Sequence, residues 1–306
     1  MENFKMKFGG YQGPDSIHTA AGRLFGSELT SREDLSIEFD FEESIIARGL
    51  NSGELPGMVA SGELNLCYMS TVRFSKDVPE LAVFELPFLI KDRVSLFEAL
   101  EGALGDYFKA RIEEATPFKI LGFWDNGFRN ISNKVRPIRT PADCKGIAIR
   151  TQISDLHGEV FRAFGFEPSP IDIKTFLETI ETDRVQAQDN PLTSIYIFDI
   201  HKHHHYITLS SHFFGVSLFI CNRQVFESWP AEVQESVIQA AGKATTLQRK
   251  MATEQDELVL SKLEAEGNEV ITLNSDERSA FEKSVAPLVE SYRSKFGAEL
   301  FSLLDS

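Results

Sequence analysis

The stretch Thr140-Pro141-Ala142-Asp143-Cys144-Lys145-Gly146-Ile147-Ala148-Ile149-Arg150 joins a helix start to a strand. Thr140 is a capping residue, Pro141 takes the first helical position, where a missing N–H costs nothing, and Asp143 completes the cap. Gly146 ends that turn, and Gly146 to Arg150 then reads as a strand with Arg150 at its carboxyl end. Downstream, Asp155 to Phe164 reads as a helix. Ile173, Phe176, Leu177 and Ile180 form one apolar helical face, and Val185 opens a strand running into Gln188-Asp189-Asn190-Pro191. Upstream the same alternation holds. Phe4 to Gly9 reads as a strand, and Ile17, Ala20, Ala21, Leu24 and Phe25 mark a helix after Pro14-Asp15-Ser16. Leu35 to Phe41 and Leu64 to Met69 are strands around a short helix at Leu55, Met58 and Val59. Strand and helix in alternation predict an α/β architecture.

At 306 residues the chain exceeds one comfortable core, so two lobes are expected. From Ala231 to Glu266 there is no Pro and one Gly, Gly242. That predicts a helix of about 35 residues, or ~50 Å at 1.5 Å per residue. A lobe of about 150 residues is only ~30–35 Å across, so the helix is expected to run through both lobes. Gly267 stops it, and Ser275-Asp276-Glu277 starts another helix. The net charge of −15 argues against nucleic acid, which needs a basic face. The same acidity means that attraction for an anion has to come from a few arginines. No apolar run approaches the roughly 20 residues of a membrane span, and Met1-Glu2-Asn3-Phe4-Lys5 lacks the apolar core of a signal peptide. Cys67, Cys144 and Cys221 are an odd, widely spaced set, against a disulfide framework.

Arg129, in Asn126-Gly127-Phe128-Arg129-Asn130-Ile131-Ser132-Asn133, and Arg150 are the first candidates for chemistry. Ligands of open α/β sheets sit beyond the carboxyl ends of strands, and a guanidinium matches a carboxylate with two parallel hydrogen bonds. The competing reading pairs each arginine with a surface acid. Arg73, after the Leu64 to Met69 strand, and Asn190, before Pro191, also stand at strand ends. The run His201-Lys202-His203-His204-His205 would place His201 and His205 one helical turn apart, a usable ligand spacing. No carboxylate or cysteine pattern accompanies it, so it reads as a surface cluster and no metal or other cofactor is expected. His212 is separate. The sequence has no Gly-x-Ser-x-Gly elbow, phosphate loop or His-Glu-x-x-His. The expectation is a binding protein and not an enzyme.

The segment Gly122 to Arg150 resembles the signature stretch of the substrate-binding proteins of TRAP (tripartite ATP-independent periplasmic) transporters. The matching words are Asn126-Gly127-Phe128-Arg129, Ser132-Asn133, Arg136-Pro137-Ile138, Thr140-Pro141-Ala142-Asp143, Lys145-Gly146 and Ile149-Arg150. Arg73-Phe74, Glu85-Leu86-Pro87-Phe88-Leu89 and Val185 to Pro191 extend the likeness, in order, along nearly the whole chain. Gln186-Ala187 departs from the family's Asp-Gly, and Ile173 stands where an aromatic often packs on the ligand.

The resemblance implies a two-lobed, type II-like periplasmic-binding-protein fold: two α/β domains, a hinge and a long spanning helix. Lobe I would hold residues 1–126 and 215–250, and lobe II residues 127–214 and 251–306 with the C-terminal helices. Arg150 would clamp the ligand carboxylate in the interlobe cleft, with Arg129 and Asn190 beside it. Arg73, His212, Tyr11, Gln12, Ser70 and Thr71 would contact the rest, and Trp124, Phe128 and Ile173 would wall the pocket. The implied partners are a small organic acid, with a sugar acid such as a uronate or aldonate preferred, and the membrane permease subunits. The chain would work in the periplasm after removal of a signal segment. A ligand sensor serving a signalling receptor and a metal-dependent enzyme built on His201–His205 are the alternatives.

Overall fold

The computed structural model describes residues 3–305; Met1 and Glu2, read above for a leader, and Ser306 lie outside them. The chain runs β1 (Asn3–Gly9), α1 (Ile17–Thr30), β2 (Ser36–Glu42), α2 (Leu55–Ser61), β3 (Leu66–Ser70), α3 (Arg93–Glu101) and α4 (Ala103–Ala115). It continues through β4 (Phe118–Asn133), β5 (Ala148–Thr151), α5 (Asp155–Ala163), β6 (Glu167–Pro170), α6 (Ile173–Thr179), β7 (Ala187–Pro191) and α7 (Leu192–Ile197). It closes with β8 (Tyr206–Asn222), α8 (Arg223–Ser228), α9 (Ala231–Ala265), β9 (Glu269–Thr272), α10 (Ser275–Phe296) and α11 (Ala298–Leu304).

Two compact α/β units result. Unit 1 holds Met1–Val78, Tyr107–Asp125 and Val216–Glu254; unit 2 holds Pro79–Asp106, Asn126–Gly215 and Gln255–Ser306. The strands β4 and β8 and the helix α9 each contribute residues to both. Pro79–Asp106 belongs to unit 2. Its attachments explain why. The Phe88 N–H donates to the His212 carbonyl (2.9 Å), Glu85 meets His157, and Arg93 pairs with Asp256.

In unit 1, β1 is parallel to β2 (Asn3↔Ser36 through Gly9↔Glu42) and to β3, while β3 runs antiparallel to β8 (Leu66↔Cys221 through Ser70↔Ser217). Parallel neighbours require crossover helices, which α1 and α2 supply. Phe8 is the centre of this core, stacked on Phe41 at 4.6 Å and on Phe219 at 5.3 Å. Phe25 and Phe39 meet it edge-on at 6.1 and 6.3 Å. Gly26 of α1 lets a ring lie against the helix backbone: a Cβ there would come 2.2 Å from the Phe39 ring. The long helix has the expected extent. Its Gln248 bonds both the Asp125 N–H (2.7 Å) and the Asp125 carbonyl (2.6 Å), and its Thr245 hydroxyl accepts from the Trp124 indole at 3.0 Å. Two buried backbone groups of β4 are thereby satisfied by one amide side chain.

In unit 2, β4 and β7 are antiparallel with Asn130↔Asn190 and Ser132↔Gln188 in register, β5 is parallel to β7 and to β6, and β9 is parallel to the first half of β8. The capped segment at Thr140 makes a single 3-10 turn, Pro141–Cys144, with the expected capping box. Gly146 then turns the chain into β5.

Candidate functional site

Unit 2 brings polar residues to both faces of its sheet, and register decides which face each one takes. Paired residues on neighbouring strands point the same way, and successive residues alternate. Arg150 pairs with Gln188, which shares its face with Asn190; Ser132 pairs with Gln188, and Asn130 with Asn190. Those five residues share one face. Asp189 and Arg129, by the same alternation, take the other.

On the first face the Arg150 guanidinium is buried, 3 % exposed. Its Nε donates to the Ile171 carbonyl at 2.7 Å, and its Cζ lies 6.0 Å from the centre of the Phe176 ring. Ile171 precedes α6, whose first residue, Ile173, is buried. Asn190 Nδ2 donates to Gln188 Oε1 (2.5 Å), and Gln188 Nε2 donates to Ser132 Oγ (2.6 Å). Ser132 Oγ in turn meets His204 Nδ1 at 2.9 Å. Burial lowers the His204 pKa to about 3, so the ring is neutral, and its tautomer sets which of the two groups donates. This relay fixes the Asn190 amide beside Arg150.

On the second face Arg129 is committed to the protein. Its Nε donates to Asp189 Oδ2 and its Nη2 to the Asp189 carbonyl, each at 2.5 Å, with both side chains at most 1 % exposed. Burial opposes ionisation of Asp189. The Arg129 charge and the bonds from His212 and Arg129 outweigh it and hold the carboxyl well below the usual carboxylate range. His212 Nε2 lies 3.5 Å from Asp189 Oδ2, and its Nδ1 meets Ser210 Oγ at 2.8 Å. Burial lowers the His212 pKa despite Asp189. Arg129 and Arg150 were expected to act together; the structure places them back to back across the sheet. His212 lies with the Arg129 pair.

The histidine run is divided. His201 lies on a 3-10 turn, Ile200–Lys202, and not on an α-helix, so His201 and His205 are not one helical turn apart. His201 stacks on Tyr196 at 4.7 Å and meets Glu266 Oε2 at 3.0 Å, whereas His204 points to Ser132. Among the described residues no group of three or more His, Cys, Asp or Glu side chains is placed to hold a metal ion. All three cysteines are free and buried.

The remaining expected residues lie mostly in unit 1. Tyr68 Oη accepts from the backbone N–H groups of Tyr11 (3.2 Å) and Gln12 (3.1 Å), and Gln12 Nε2 donates to Tyr11 Oη at 3.3 Å. Ser70 ends β3 and Thr71 follows it, both buried. Arg73 lies over Gly53, where an added Cβ would come 3.1 Å from the guanidinium carbon. Trp124, expected as a pocket wall, belongs to the aromatic core: fully buried, 4.8 Å from Phe219, its N–H given to Thr245. Phe128, in unit 2, packs edge-on against Phe214 at 4.8 Å. Gln188, Asp189, Ser132 and His204 were missed. The available signal was that Gln188-Asp189-Asn190 puts three polar residues in a row inside one strand, so both of its faces carry polar groups.

The family model for bacterial extracellular solute-binding proteins, family 7, matches residues 50–295. The chain belongs to this family. It is 28% identical over 298 residues to the 2,3-diketo-L-gulonate-binding periplasmic protein YiaO of Escherichia coli K12, covering 95% of this chain and 88% of that one. Its fold superposes with TM-score 0.94 on the sugar acid binding protein DctPAm of Advenella mimigardefordensis, crystallised with galactonate. That match is 26% identical and covers 100% of this chain and 98% of the other. A TRAP periplasmic solute binding protein of Ralstonia eutropha H16, bound to (S)-2-acetolactate, is 25% identical with TM-score 0.90, covering 98% and 97% of the two chains. This solute-binding protein thus has the α/β fold of TRAP binding components, and its family consists of transporter binding proteins, not enzymes. No described helix is long and apolar enough to cross a membrane.

Proposed function

We propose that this family 7 solute-binding protein captures a small hydroxylated carboxylic acid, of the sugar-acid kind, in the periplasm and delivers it to a TRAP membrane permease. Arg150 carries the proposal. It is buried at the carboxyl end of β5, oriented by the Ile171 carbonyl, and flanked by the Gln188–Asn190 amides. A guanidinium held by its Nε has the planar fork that a carboxylate matches. In so dry a setting each charge-assisted bond is stronger than in water. The Asn190 amide supplies the neighbouring polar contact.

The rest of the ligand is assigned to Tyr11, Gln12, Ser70, Thr71 and Arg73 of unit 1, with Ile173 as an aliphatic wall in unit 2. Support for a hydroxylated acid comes from these hydroxyl and amide groups, and from similar proteins named for a diketogulonate or crystallised with galactonate.

The test is calorimetric titration of wild type, Arg150→Ala and Arg150→Lys with aldonates and uronates. Arg150→Ala should weaken binding by about 3–5 kcal/mol, the cost of stranding a desolvated charge, or at least about a hundredfold. Arg150→Lys should fail as well, because a point charge cannot make the paired bonds. Binding by Arg150→Ala as tight as by wild type would remove the clamp.

A further inference from the structure

Unit 1 buries polar side chains that no described residue satisfies. His18, in the first turn of α1, is 2 % exposed, yet among the described residues neither Nδ1 nor Nε2 has a hydrogen-bond partner. Its ring stacks on Tyr68 at 4.7 Å. Tyr68 and Ser70 are two residues apart on β3, so they share a face, and Ser70 pairs with Ser217 of β8. Ser70 Oγ and Ser217 Oγ also lack partners, as does the neighbouring Thr71 Oγ1. Buried polar atoms left without partners are rare, and each costs roughly 1–3 kcal/mol. Ser70 and Thr71 stand at the carboxyl end of β3, where open α/β sheets take their ligands; Ser217 faces Ser70 from antiparallel β8, and His18 reaches the same strand through its stack on Tyr68.

We propose that His18, with Ser70 and Ser217, reads hydroxyl groups of the acid and not a second carboxylate. The inference rests on the carboxylate reading above and adds which other groups the acid carries. A neutral imidazole offers one donor and one acceptor, and so does each serine hydroxyl. An alcohol answers both at once. A carboxylate only accepts, so it would leave the imidazole acceptor unmatched. Burial lowers the His18 pKa to about 3, which keeps the ring neutral and withholds the charge that a second carboxylate would need.

The experiment uses the full chain and a panel of C4–C6 aldonates and uronates, each paired with its deoxy acid and with the matching dicarboxylate. Affinities are measured for wild type, His18→Phe and Ser217→Ala, with the unfolding midpoint of each ligand-free variant as a folding control. A phenyl ring keeps the stack on Tyr68 without burying polar atoms, so His18→Phe should melt no lower than wild type. It should bind the hydroxylated acid about tenfold more weakly, as for one lost hydrogen bond, and the deoxy acid unchanged. Ser217→Ala should show the same selective loss. Equal affinity of both variants for the hydroxylated acid would show that the ring is only packed, or only hydrated, and would overturn the proposal. Preference of wild type for the deoxy acid or the dicarboxylate would overturn it too, while leaving the Arg150 clamp standing. If no carboxylate of the panel binds, the clamp reading fails and takes this one with it.

Discussion

Arg129→Met tests the division of labour between the two arginines. The substitution keeps the aliphatic bulk but leaves Asp189 buried opposite a thioether, with His212 3.5 Å away as its remaining polar neighbour. Breaking a buried ion pair by removing one partner costs about 3–5 kcal/mol. For a protein of this size each kcal/mol moves the midpoint by roughly 2–4 °C, so Tm should fall by about 10 °C at pH 7. The sign of the pH dependence follows from Asp189. In wild type its folded pKa is depressed, so the pair's stabilisation is present above the unfolded value of about 3.9 and is lost only as pH falls through the folded value. Wild type should therefore show no change from this group between pH 5 and 8. In Arg129→Met, burial, the largest influence on the carboxyl, is opposed only by His212 and His157, so its folded pKa should rise. The penalty is then full at neutral pH and shrinks as acid protonates Asp189, so the two Tm curves should converge below about pH 5. Asp189→Asn on the Arg129→Met background should recover much of the loss. Scanning calorimetry across pH 4.5–8, with titrations of ligand well below Tm, measures all of this. Arg129→Met melting like wild type, but binding ligand no better than Arg150→Ala, would refute the reasoning and return Arg129 to the ligand.

Gln188→Ala removes the link between Asn190 and Ser132, and should weaken ligand binding about tenfold through a freed Asn190 amide, with Asn190→Ala adding little further loss; titration of the single and double variants checks the coupling. Gln248→Ala strands the Asp125 N–H and carbonyl inside unit 1; at roughly 1–3 kcal/mol per unsatisfied group, the midpoint in urea should fall clearly while ligand affinity of the folded protein holds. Gly26→Ala forces a methyl group against the Phe39 ring and should destabilise by about 1–3 kcal/mol, visible as a lower midpoint with an unchanged m-value.

Local signals carried much of the site. Arg150 could be singled out because a capped turn, a glycine and an apolar run fix where β5 starts and ends. The same reading could not tell that Arg129 spends its donors on Asp189. That pairing spans 60 positions and depends on the β4–β7 register, and a shift of one residue would have turned every side chain of the strand over. The histidine run misled for a related reason: one left-handed residue, Asp199 (φ 56°), precedes a 3-10 turn, and the helical spacing assumed for His201 and His205 never forms.

By itself the sequence determined the α/β alternation, the long α9 and the strand-end position of Arg150, because these follow from periodicity and from caps a few residues apart. Only the tertiary structure decided that Pro79–Asp106 joins unit 2, that the two arginines stand on opposite faces, and that His18 is buried with no hydrogen-bond partner among the described residues. Each of these rests on which distant segments come into contact and in which register, and hydrogen-bond pairing between strands is settled only when the chain has folded.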